Sequence, residues 1–173
     1  MIDPLEKYDN EEIVLEDYVW TYPSVPEIPK ELLKSAEWVK NNLKNNYDTE
    51  FFRQLKYAGY IVNGTSEQPL VDWLQPYFEY PIYVRYIHQG GDLNVHSDVN
   101  TADQFKFAYY IDLGGDEVWT QWFDRESSTA NVIAKAKFEK NHWYRFEIHV
   151  PHNIKGVEEN RIRQSIAVTF MKG

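Results

Sequence analysis

The sequence predicts a mainly β fold, a jelly roll or closely related two-sheet sandwich. From Ile82 onward, short aromatic and β-branched runs alternate with clusters of Gly, Asp, Asn and Ser, the spacing of strands in a sandwich or jelly roll. Helical signals are confined to the part before Ile82, with no β-α-β alternation, which disfavours a parallel α/β sheet. The composition agrees: thirteen Tyr and six Trp in a chain that is 16% aromatic favour strands. At 173 residues the chain falls in the single-domain range. We read residues 1–173 as one domain, with an N-terminal arm (1–29), a supporting helical and strand region (30–80) and a jelly-roll core (81–173).

The arm is acidic and punctuated by proline, with Tyr18, Trp20 and Tyr22 available to anchor it on a core. Leu32, Ala36, Val39 and Leu43 then recur at helical spacing, and Pro29 or Lys30 suits a first helical turn, so an amphipathic helix is expected here. Phe52 to Val62 has the texture of a strand and ends at Asn63-Gly64, a turn pair. Asn63-Gly64-Thr65 also matches a glycosylation acceptor, a reading that the lack of a secretory signal disfavours. A short helix is expected over Glu67 to Gln75, capped by Ser66 with Pro69 in its first turn. The core strands are expected at Tyr83–His88, Phe105–Leu113, Val118–Phe123, Val132–Phe138, Trp143–Val150 and Arg161–Met171, with Gly114-Gly115-Asp116 as a hairpin turn.

Charge and cysteine content exclude several functions. A formal net charge of -9, with no dense basic cluster, would repel a phosphate backbone, so nucleic acid is not an expected partner. With no cysteine, any metal must be held by His, carboxylate or water. The acidic N-terminus has neither the basic nor the apolar region of a secretory signal, and no apolar run approaches the ~20 residues of a membrane span. A cytoplasmic protein without membrane partners is expected.

Three signals carry chemistry. His96-Ser97-Asp98 places a His and a carboxylate two apart near a strand end, where alternation turns both to one face and toward one ion. His152 follows the Trp143–Ile148 strand and the Val150-Pro151 turn, where an adjacent strand could bring it to the same ion. Two His and one carboxylate leave three of six octahedral positions open, as non-haem Fe(II) oxygenases require. In Arg163-Gln164-Ser165, Arg163 and Ser165 share a strand face, so a guanidinium and a hydroxyl can reach one carboxylate, such as the distal one of 2-oxoglutarate. The opposite face carries Ile162, Ile166, Val168 and Phe170, which suggests a strand buried on both sides, where an Arg needs an anionic partner.

With Arg85, Gly91, His96-x-Asp98, the Trp143 to Phe146 strand leading to His152, and Arg161-Ile162-Arg163-Gln164-Ser165 in this order, the region from Tyr83 to Phe170 resembles the 2-oxoglutarate/Fe(II)-dependent oxygenases, most of all the aspartyl/asparaginyl β-hydroxylase group. The resemblance implies a double-stranded β-helix of cupin-like form with helices packed on the larger sheet. It implies Fe(II), 2-oxoglutarate and O2 as cofactors, with release of succinate and CO2. The implied substrate is a protein or peptide side chain or a small amino-acid-like molecule, which would usually be hydroxylated. It also assigns Lys106, on the strand after His-x-Asp, to the oxoacid.

Rivals stay open at several positions. His149 competes with His152 as the distal ligand, although the order strand, turn, His favours His152. Arg161 competes with Arg163, and the Arg-x-Ser pattern favours Arg163. Asp98 is a ligand unless two His and water complete the site, as the resemblance also allows. Arg85 is either an inward anion binder or half of a structural salt bridge. His88 and His142 are expected in solvent or a turn, and Phe107, Tyr109 and Tyr110 as core and pocket lining. The alternatives to an oxygenase are a cupin-type metalloenzyme that uses no 2-oxoglutarate and a non-catalytic binding jelly roll.

Overall fold

A computed structural model of the chain describes residues 18–34, 60–65, 68–98 and 105–170. Ten strands form two antiparallel sheets among these residues: β1 (Val19–Thr21), β2 (Tyr60–Thr65), β3 (Ile82–Gly90), β4 (Leu93–His96), β5 (Phe105–Asp112), β6 (Trp119–Phe123), β7 (Val132–Ala136), β8 (Trp143–Glu147), β9 (His152–Lys155) and β10 (Arg163–Phe170). The larger sheet runs β1-β8-β5-β10-β3-β2 and the smaller β4-β9-β6-β7. This is the mainly β jelly roll that the strand spacing predicts, in the cupin-like double-stranded β-helix form that the resemblance implies.

Strand alternation explains how the layers are built. On β10 the residues Ile166 and Val168 point to the outer face of the larger sheet, where they pack with Ile82, Val84, Leu70, Leu74 and Phe78. Leu70 and Leu74 come from helix α1 (Gln68–Leu74), four apart and so on one face. The extended segment after β1 closes the same layer with Val25 and Ile28, and the Trp143 indole donates to the Pro26 carbonyl at 3.0 Å. The inner face of the sheet, with Ala108, Tyr110, Tyr144 and Phe146, meets Trp122, Ala134 and Ala136 of the smaller sheet in a second core. β10 is therefore buried on both faces. Helical packing on the larger sheet is seen in α1 and in the 3-10 turn Lys30–Leu33. The positions Ala36, Val39 and Leu43 of the amphipathic helix, and Ser66 of the α1 cap, lie outside the described residues.

Four local expectations need correction. Asn63-Gly64 is not a turn: both residues lie inside β2, opposite Ile87 and Tyr86 of β3. Gly114-Gly115-Asp116 is not a hairpin, because β5 belongs to the larger sheet and β6 to the smaller, so this loop crosses between layers. His88 is not solvated; β3 continues past it to Gly90, between β10 and β2, and leaves it 1% exposed. Part of the presumed arm is an edge strand, since Val19, Trp20 and Thr21 pair with Phe146, Arg145 and Tyr144 of β8. Tyr18 and Tyr22 anchor its two ends, against Trp122 and against Phe78 and Phe107.

Candidate metal centre

β4 and β9 lie side by side in the smaller sheet, and their pairing brings His96 directly opposite His152. The register is irregular: Leu93 faces Ile154 while His96 faces His152, so three steps on β4 match two on β9. This is a bulge, an extra residue that shifts the alternation of one strand by one. Without it, Leu93 and His96 would point to opposite faces; with it, both line the cavity between the sheets, as do His152 and Ile154. Asp98 lies just beyond the end of β4, where its backbone N–H donates to the Ile148 carbonyl at 2.9 Å.

One local device orients both imidazoles. Nδ1 of His96 lies 2.8 Å from the Asn94 carbonyl, and Nδ1 of His152 lies 2.8 Å from the Val150 carbonyl. A carbonyl can only accept, so each Nδ1 carries a proton and each Nε2 is the ring atom left to face the site. The two Nε2 atoms face Asp98, at 3.9 Å from Oδ1 for His96 and 4.0 Å from Oδ2 for His152. The three ligating atoms lie within 4.8 Å of one another, the only such grouping of three or more His, Cys, Asp or Glu among the described residues. His149 is not part of it; its backbone N–H is held by the Glu147 carboxylate at 2.7 Å.

His152 is 3% exposed, and burial holds its pKa well below the ordinary histidine range. The hydrogen bond to Val150 opposes this, while the charges of His96 and Lys106 act with burial. An oriented imidazole pair beside a carboxylate is the donor set of a facial triad, so these residues fit a divalent metal such as Fe(II).

From the triad a cavity of about 200 Å³ extends between the sheets. Its charges are Asp98 from the triad and three cations: Lys106 on β5, Arg85 on β3 and Arg163 on β10. Arg163 is 6% exposed, its guanidinium carbon lies 4.6 Å from the Tyr110 ring centre, and its Nε has no acceptor. Burial raises the pKa of the Tyr110 hydroxyl, against the pull of the Arg163 charge and hydrogen bond, and keeps it protonated. Lys106 sits 4.9 Å from the Phe146 ring. Burial pulls its pKa down to about 8; Asp98 opposes this, and the charges of Arg85 and Arg163 add to it.

The structure also separates the rival arginines. Arg161 is 36% exposed and surrounded by carboxylates, with Asp112 at 3.3 Å, Glu158 at 3.6 Å and Asp116 at 3.9 Å. Arg163 lines the cavity with Ser165, and among the described residues neither Arg163, Arg85 nor Lys106 forms an ion pair. His142 lies after a turn as expected, with Nδ1 2.7 Å from the Lys140 carbonyl. Sequence reasoning missed Thr120 and Gln89 as cavity lining; alternation on β6 and β3 marks their faces, but not which face looks inward.

No protein-family model matches the sequence, and no curated protein matches it. Solved structures do. A prolyl-4-hydroxylase from Pseudomonas putida is similar over 91% of this chain and 95% of its own, with a TM-score of 0.53 at 11% identity. A cupin superfamily protein from Desulfitobacterium hafniense aligns over 66% of this chain and 81% of its own, with a TM-score of 0.37 at 8% identity. An oxalate decarboxylase from Lactobacillus farciminis aligns over 64% of this chain and 28% of its own, with a TM-score of 0.38 at 13% identity. The first of these supports the fold. No helix among the described residues is long and apolar enough to cross a membrane.

Proposed function

We propose that the protein is an Fe(II)- and 2-oxoglutarate-dependent oxygenase that oxidises a small amino-acid-like molecule or a side chain of a protein or peptide. One observation carries the reading: the His96, Asp98 and His152 triad opens into the same cavity as Arg163, a buried cation with no carboxylate partner among the described residues. A buried charge is costly unless an anion answers it, so the cavity is built for an anionic guest near a metal.

In this reading the two Nε2 atoms and one Asp98 oxygen would hold Fe(II). Bound there, the metal supplies the O2 chemistry that couples 2-oxoglutarate decarboxylation to oxidation of the substrate. Arg163 would pair with the distal carboxylate of the oxoacid, with the Ser165 hydroxyl available to donate to the same group. Tyr110, neutral at physiological pH, fixes the guanidinium from its ring side. Lys106, nearer the triad, adds charge to the oxoacid. At about 200 Å³ the cavity is smaller than the ~300–1,000 Å³ of sites that enclose a drug-sized ligand, which suits a short diacid and leaves the bulk of a larger substrate at the rim.

The test is Fe(II)-dependent conversion of 2-oxoglutarate to succinate by the full chain, with Arg163→Gln beside it. The wild type should release succinate slowly even without substrate. The variant should need far more oxoacid, a loss on the order of 2–5 kcal/mol in binding, because one partner of a desolvated charge pair is gone. Equal oxoacid dependence in the two proteins, with a loss in Arg161→Gln, would move the role to Arg161.

A further inference from the structure

The cavity holds one more cation than that account uses. A chain with a net charge of -9 lines a small internal space with Arg85, Lys106 and Arg163 against the single carboxylate Asp98. A five-carbon diacid has two carboxylates, one for the metal side and one for Arg163. Among the described residues Arg85 is left without an anion, and its buried Nε has no acceptor there.

Sheet register places Arg85 away from Arg163. On β3 Arg85 pairs with Ala167 of β10, whereas Arg163 pairs with Gln89. The two levels are four residues apart on β10 (167 minus 163), or ~14 Å at a strand rise of about 3.4 Å. The carboxyl carbons of a five-carbon diacid are only about 5 Å apart at C–C bonds of about 1.5 Å. On the far side of Arg85 lies the Tyr83 and Thr169 pair; Thr169 lines the cavity and Tyr83 is 40% exposed, so this end reaches the surface. The Arg85 guanidinium carbon lies 5.7 Å from the Tyr83 ring centre, within cation–π range.

We propose that Arg85 is the substrate-recognising cation, and that the substrate carries a carboxylate or phosphate group that docks on Arg85 at the Tyr83–Thr169 rim of the cavity. The word substrate rests on the oxygenase reading; the anion subsite does not. A neutral substrate would leave Arg85 desolvated without a partner as it closed the rim, whereas an anionic one supplies the missing acceptors.

The test follows the arginine Nε–H resonances of the 15N-labelled, metal-free full chain during titration with inorganic phosphate and, separately, acetate, each with 2-oxoglutarate in excess. The Arg85 and Arg163 signals are assigned by their loss in Arg85→Gln and Arg163→Gln. The Arg85 signal should move with at least one of the anions, and the stronger response identifies phosphate or carboxylate as the preferred group. Arg85→Gln should weaken that anion at least tenfold, Arg85→Lys should restore part of it, and 2-oxoglutarate affinity should stay within about threefold in both. Anion binding unchanged in Arg85→Gln, or an oxoacid loss as large as in Arg163→Gln, overturns the proposal. Failure of the oxygenase reading shows differently: the Arg163 signal does not respond to 2-oxoglutarate while the Arg85 signal still answers the anion.

Discussion

His96 and His152 come from different strands, yet each is fixed by a ring Nδ1 bond to the carbonyl two residues before it. The account therefore predicts that His96→Ala and His152→Ala each abolish Fe(II) binding, measured by metal content after dialysis, while His149→Ala keeps most of it. Loss of iron in His149→Ala alone would make His149, and not His152, the distal ligand. Lys106 gives a pH test. With its pKa pulled down to about 8 from 10.5, it is charged at neutral pH and loses its charge as the pH rises through 8. Oxoacid affinity should fall above about pH 8, and Lys106→Met should bind more weakly at pH 7 and lose that part of the pH dependence. At this scale the site was largely legible: His-x-Asp, the later His and Arg-x-Ser each pair a residue type with a spacing that alternation converts into a shared face. Arg85 was undecided because a sequence shows neither its cavity nor that no carboxylate among the described residues pairs with it. His88 was misread because the following Gln-Gly-Gly looks like the end of a strand that in fact runs on to Gly90.

Elements with strong texture were found nearly in place, β3, β5, β6 and β10 among them, because aromatic and β-branched runs bounded by turn residues are a local signal. What failed depended on which sheet a strand joins. Asn63-Gly64 has the chemistry of a turn, but pairing with Ile87 and Tyr86 keeps it extended. Gly114-Gly115-Asp116 lies between two strands that never pair with each other. The bulge in β4, which turns His96 into the cavity, leaves no mark in the residue types and appears only in the register with β9. The layer-crossing loop supports the site as well. Gly114 has φ +78, and a Cβ there would lie 3.0 Å from the Arg163 Cβ and 3.1 Å from its backbone N. Gly114→Ala should cost at least ~1–2 kcal/mol for the left-handed backbone alone, lowering Tm by about 2–8 °C for a chain of this size. By pressing on the start of β10 it should also weaken 2-oxoglutarate in the same titration used for Arg163→Gln. A variant with wild-type Tm and wild-type oxoacid affinity would show that this loop does not brace Arg163.

Across the whole molecule, two sheets face each other with a core at one side and a charged cavity at the other, and the larger sheet carries a second apolar layer on its outer face. The doubly buried β10 holds these layers together and presents Arg163 and Ser165 inward. The acidic balance of the chain gives the reverse of what the cavity contains, since its cations are contributed singly by β3, β5 and β10 and form no basic cluster in the sequence. The central claim is that metal and oxoacid share this one space. Anaerobic titration of 2-oxoglutarate into the Fe(II)-loaded full chain, followed by visible absorption, tests it most directly. A weak charge-transfer band that saturates with the oxoacid, shifts to higher concentration in Arg163→Gln and is absent in His152→Ala is the predicted result. Iron bound with no such band at any concentration of 2-oxoglutarate would contradict the account.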